Sequence, residues 1–174
     1  MEIEIVKKSN IGFSPEIGDM THELLSRLSE KVDSEGIDVL KKETVDILSK
    51  CTDPNKRECQ SVTNLVVGYV QSGKTMSFTT LSALAHDNGF RVIIYFAGTK
   101  NNLLSQTTKR LRKDLINGNV NSKHYKLFEN PTKNDSQRIR NALSLSSKPT
   151  ILITVLKHHK YISELAAMFD NGQI

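Results

Sequence analysis

A chain of 174 residues is long enough for one domain with a buried core, or for one domain with a short appendage. Hydrophobic residues at 37% and charged residues at 25% fit a soluble protein, and no apolar run approaches the ~18 residues that a membrane helix needs. The net charge of +5 permits contact with nucleic acid without requiring it, while two cysteines fit a reducing compartment better than a disulfide framework. The N-terminus, Met1-Glu2-Ile3-Glu4-Ile5-Val6-Lys7-Lys8, puts acid where a secretory signal puts positive charge, so a cytoplasmic protein with no membrane partner is expected.

The first sixty or so residues read as helical. Leu24, Leu25, Leu28 and Val32 form one stripe, and Ile37, Leu40, Thr44, Ile47 or Leu48, and Cys51 form another, both at helical spacing. Asp33-Ser34-Glu35-Gly36 separates the two, and Pro54 ends the second because proline cannot continue a helix. Residues 56–61 are a polar connector. This gives a domain boundary at 61/62, with a helical segment over 1–61.

From residue 62 onward, short β-branched runs alternate with longer helical ones, the pattern of βα units around a parallel sheet. Three runs read as buried strands: residues 64–67 (Asn-Leu-Val-Val), 91–97 (Arg-Val-Ile-Ile-Tyr-Phe-Ala) and 150–155 (Thr-Ile-Leu-Ile-Thr-Val). A helix over 74–88 comes after the first, stopped by Gly89 in a left-handed conformation. After the second come a helix near 102–116 with Leu104, Thr108, Leu111 and Leu115 inward, a polar loop over 118–133, and a shorter helix near 135–146. A last helix, about 157–170, keeps Ile162, Leu165, Ala166 and Phe169 on one face. The expected fold is α/β, a parallel sheet flanked by helices over 62–174.

The first run leads into Gly68-Tyr69-Val70-Gln71-Ser72-Gly73-Lys74-Thr75, a full match to G-x-x-x-x-G-K-[ST]. A glycine-bracketed loop opening a helix can cage phosphate with backbone N–H groups, where unpaired donors and the positive end of the helix dipole converge. In that arrangement Gly73 allows close backbone approach, Lys74 reaches the β- and γ-phosphates, and the Thr75 hydroxyl ligates Mg²⁺. The residues expected around ATP are therefore Gly68 to Thr75 with Met76 beside them, Lys74 serving catalysis and Thr75 the metal.

Phe96-Ala97-Gly98-Thr99-Lys100-Asn101-Asn102-Leu103-Leu104-Ser105-Gln106-Thr107 comes directly after the second strand. Taken with the loop, it resembles the motor domains of superfamily 2 helicases of the DEAD/DEAH type. The loop and this string together look close to the ATPase part of Z1-domain endonuclease-like proteins of restriction and phage defence. The end of the third strand with the four residues after it, Ile153-Thr154-Val155-Leu156-Lys157-His158-His159, resembles the next block of that family, where a threonine meets the nucleic-acid backbone. The resemblance covers about residues 62–165 and implies a RecA-like P-loop NTPase fold. It further implies an ATP- and Mg²⁺-dependent activity on nucleic acid, with DNA favoured over RNA and both left open, and with Gly98, Thr99, Lys100 and Thr154 contacting the strand. The sequence departs from the family in having Gln71 where the DEAD-box loop has glycine. It also lacks an apolar strand ending in an Asp-Glu pair, so the resemblance implies that those acids, a second motor domain and an effector domain lie beyond Ile174.

The basic residues Lys100, Lys109, Arg110, Arg112 and Lys113, with no acid before Asp114, form either a solvated helix face or a phosphate-contacting one. Adjacent His158 and His159 point apart on any regular element and have no acidic or thiol cluster at ligand spacing. Gln60 lies upstream of the loop, as an adenine-reading glutamine does in some helicases, but reads better as a connector residue. Two other classes share the loop: a small-molecule or nucleotide kinase, which needs an arginine-bearing lid that no segment supplies, and a module that binds nucleotide without hydrolysing it.

Overall fold

A computed structural model describes residues 13–56, 61–67, 74–117 and 120–170, with the side chains of Lys74 and Thr75 outside that description. The chain divides into two compact units, Met1–Gly89 and Phe90–Ile174, so the helix that opens at Lys74 groups with the helical segment before it. Among the described residues no helix is long and apolar enough to cross a membrane.

The first unit is three helices. α1 (Asp19–Leu28) buries Thr21, Leu24 and Leu25, and α2 (Ser34–Ser49) buries Leu40, Thr44 and Leu48, both on the stripes the spacing predicts. Asp33 starts α2 by accepting the Gly36 N–H at 2.8 Å, a side-chain cap of the usual kind. α3 (Lys74–Asp87) packs against both. Its Thr79, Thr80, Ala83 and Leu84 are fully buried, and it stops at Gly89, whose φ of 89° places it in the left-handed region.

Residues 64–67, read from sequence as a buried strand, are irregular, with Leu65, Val66 and Val67 exposed by 89%, 60% and 83%. A short apolar run becomes a strand only where a neighbouring strand pairs with its backbone. Among the described residues every strand lies between 92 and 155. Asn64 instead donates to the Lys50 carbonyl at 3.2 Å.

The second unit is α/β. Its parallel sheet has the order β1-β3-β2, from β1 (Val92–Phe96), β2 (Tyr125–Glu129) and β3 (Thr150–Val155), with Ile93 opposite Leu152 and Leu127 opposite Leu152 on the other side. β2 falls inside the stretch read as a polar loop. It is an edge strand, and Lys126 and Glu129 sit on it where a buried strand would carry apolar residues.

β3 is central and buried at every position, as its run of apolar and β-branched residues, with no charge, favours. On one face Ile151, Ile153 and Val155 join Ile139 and Ala142 of α5 (Ser136–Leu143) and Leu165 and Met168 of α6 (His159–Asp170) in one core. α4 (Asn101–Leu111) also packs on β3 and passes into a single π-helical segment, Arg112–Ile116, closed by the Asn117 N–H to the Arg112 carbonyl. Leu104, Thr108, Leu111 and Leu115 are its buried side, as the spacing predicts. Each fully buried leucine or isoleucine contributes about 1.5–3 kcal/mol. The α6 face differs from expectation: Met168 is buried and Ala166 exposed, because Met168 lies three residues after the buried Leu165 on the same side of the helix, while Ala166 is turned about 100° away.

Candidate functional site

The phosphate-loop string falls largely outside the described residues. Gly68, Tyr69, Val70, Gln71, Ser72 and Gly73 lie outside them, as do the side chains of Lys74 and Thr75. The backbone of Lys74 is the first residue of α3, and Met76 is half-buried in its first turn, where its carbonyl accepts the Thr79 hydroxyl at 3.1 Å. A helix opening directly after Gly73 supplies the unpaired first-turn amides and positive dipole end that a triphosphate uses. What the described residues establish is that a helix begins at Lys74, the position where the glycine-bracketed string ends.

The second candidate region lies at the carboxyl ends of the strands in the Phe90–Ile174 unit. β1 runs out into Ala97, and Gly98 then turns the chain with a φ of 96°, a left-handed conformation that favours glycine. The Gly98 carbonyl accepts the Lys157 N–H at 2.6 Å, and the Ala97 N–H reaches the Val155 carbonyl at 2.9 Å. These bonds join the outgoing turn of β1 to that of β3. On the other side Asn130 does the same for β2: its N–H donates to the Thr154 carbonyl and its Oδ1 accepts the Leu156 N–H, each at 2.8 Å.

Three strand ends are thereby fixed as one rim. Thr99 and Lys100 stand exposed on it, Lys100 as the N-cap residue of α4 with no side-chain cap bond. Lys157, His158, His159 and Lys160 are exposed beside them, ahead of and into α6. The His158 and His159 rings lie 4.3 Å apart, and His158 Nδ1 accepts the Lys160 N–H at 3.3 Å. Among the described residues no group of three or more His, Cys, Asp or Glu side chains could hold a metal ion.

Thr154 does not share the rim's exposure. It is 0% exposed, and its hydroxyl meets Thr108 Oγ1 of α4 at 2.9 Å and the Phe128 carbonyl at 3.5 Å. The sequence reading has Thr154 touching a nucleic-acid strand; in this structure its hydroxyl ties β3 to α4 and β2. The reason is the strand's pleat, which turns Thr154 toward α4 one residue before the chain leaves the sheet.

Asn130 and Lys160 belong to this rim without carrying a sequence motif. Asn130-Pro131 is a turn signal, and its φ of 43° suits asparagine, so composition could have flagged the turn but not its bonds to β3.

On the basic helix Lys109, Arg110, Arg112 and Lys113 are all exposed. Arg110 is set apart by Asp114, whose carboxylate lies 3.7 Å from its guanidinium. Cys51 is a free thiol, held above its ordinary pKa by burial and partly offset by the Asn64 amide. No family model, curated protein or solved structure matches this chain.

Proposed function

We propose that this chain belongs to a nucleic-acid-stimulated ATPase of the superfamily 2 helicase or translocase type, with a RecA-like P-loop domain. The observation that carries the reading is the complete phosphate-loop string running into a helix that starts at Lys74. By the motif, residues 68–75 would hold the triphosphate by backbone amides, Lys74 would set a positive charge against its β- and γ-oxygens, and Thr75 would ligate the metal. Mg²⁺, when bound there, would supply neutralisation of charge on the phosphoryl group. The strand of nucleic acid, DNA by the resemblance, lies along the rim where Gly98, Thr99 and Lys100 leave β1, held by phosphate contacts that read no bases. A defence role rests on the same resemblance.

Neither β1 nor β3 ends in an acidic pair, which favours as a second reading that this chain binds nucleotide without turning it over. Titration calorimetry with Mg-ATP tests the shared step. Lys74→Ala should lose measurable affinity, and equal affinity in both forms would reject the loop assignment. Stimulated hydrolysis on adding single-stranded DNA separates the motor from the pure binder, and hydrolysis unaffected by any polymer would leave the motor reading without support.

A further inference from the structure

α1 has no N-terminal cap of its own. Gly18, at its N-cap position, has no side chain to offer, and the cap arrives from Asp87, the last residue of α3. One Asp87 carboxylate accepts the N–H groups of Gly18, Met20 and Thr21 at 3.1, 3.2 and 2.9 Å and the Thr21 hydroxyl at 2.6 Å. A Cβ at Gly18 would fall 2.8 Å from the Asp87 Cγ, so the close approach needs glycine. Next to it the Asn88 amide clamps Glu16 both ways: it accepts the Glu16 N–H and donates to the Glu16 carbonyl, each at 2.8 Å.

An acid at a helix C-terminus opposes that helix's own dipole, and here the positive end of α1 compensates it. α3 is intrinsically weak as well. Thr75, Ser77, Thr79, Thr80 and Ser82 all lie within its 14 residues, and such residues favour caps and turns over helix interiors. Burial of Thr79, Thr80, Ala83 and Leu84 against α1 and α2 holds the middle of this helix, and its cooperativity carries what happens at one end to the other. One end is the Asp87–Asn88 clamp to α1; the other opens directly after the phosphate-loop string, roughly 20 Å away at 1.5 Å per residue.

We propose that α1 and the phosphate loop are energetically coupled through α3, so that a bound nucleoside triphosphate tightens α1 and loosening the Asp87 clamp weakens nucleotide binding. The helical segment before the loop is then a nucleotide-responsive element rather than a passive cover. The coupling rests on the nucleotide-binding reading above, and linkage requires it to be reciprocal.

The test is amide exchange by NMR on the full 174-residue chain, with and without Mg-ATP, together with calorimetry on Thr21→Val and Asp87→Asn. The Met20 and Thr21 amides should exchange about fivefold more slowly with nucleotide bound, and both variants should bind it about fivefold more weakly, the low end of typical coupling. Thr21→Val removes one hydroxyl bond and leaves the backbone bonds in place, so it remains informative if Asp87→Asn frays α1. Nucleotide binding that depends on Lys74 but leaves Met20 and Thr21 exchange and variant affinities unchanged overturns the coupling while the nucleotide reading stands. An equal slowing at Ile151–Val155 shows global stabilisation and also overturns it. Absence of nucleotide binding by the wild-type chain removes both.

Discussion

Thr154→Val separates two roles for one side chain. Valine keeps the shape and deletes the hydroxyl that meets Thr108 Oγ1 at 2.9 Å and the Phe128 carbonyl at 3.5 Å in a fully buried setting. Leaving a buried polar partner unsatisfied costs about 1–3 kcal/mol. Burying one further methyl returns about 0.8 kcal/mol. The Thr108 hydroxyl can also fall back on the carbonyl one turn earlier in α4, as buried helical threonines do. A net loss of about 1 kcal/mol is expected, and with a urea m-value of about 1–3 kcal/mol/M the midpoint should fall by roughly 0.3–1 M. Thr108→Val should cost a similar amount. The double variant should cost less than the two combined, since it leaves no stranded hydroxyl, with a coupling of about 1 kcal/mol for directly bonded side chains. Urea unfolding of the four proteins of this cycle measures all three quantities, and anisotropy with a labelled single strand measures affinity on the same samples. Unchanged stability together with weakened strand binding by Thr154→Val would refute the buried placement and return Thr154 to the contact surface.

Gly98→Ala should destabilise the chain by about 1–2 kcal/mol in thermal or urea unfolding, because a φ of 96° strains any Cβ and the added carbon would meet Leu103 Cδ1 at 2.8 Å. If the rim binds a phosphate backbone, Lys100→Ala should weaken single-strand affinity and reduce the slope of log K against log salt by about one unit, and an unchanged slope would remove Lys100 from the contact. Charge reversal at Lys109 or Lys113 should weaken binding more than reversal at Arg110, whose guanidinium already faces Asp114 at 3.7 Å, a ranking read directly from anisotropy titrations. The Cys51 thiol, pushed up by burial, holds less thiolate at neutral pH than a free cysteine. In a Cys59→Ser background its alkylation should therefore run slower than that of the urea-unfolded chain, the difference narrowing as pH rises.

Whether an element is legible in the sequence depends on where it finds its partners. α2, α4 and β3 are legible because their own periodicity carries the information: Leu40, Thr44 and Leu48 recur at one helical face, and six apolar or β-branched residues in a row have no polar side to expose. β2 is not, because an edge strand needs only half an apolar pattern, and Tyr-Lys-Leu-Phe-Glu between polar turns has no more than that. Residues 64–67 err in the opposite direction, an apolar run with strand composition that finds no pairing partner among the described residues. Site chemistry divides in the same way. The phosphate-loop string is local, eight residues whose spacing is itself the mechanism, so it can be read without a fold. The Asp87 cap joins residues 66 apart and the Thr108–Thr154 bond residues 46 apart, so neither leaves a local trace. Both are polar contacts that fix one helix against another element, where apolar packing alone would tolerate a shift. A threonine at a strand end and an aspartate at a helix end therefore look like surface residues in sequence, and only the neighbouring helix turns them into fastenings.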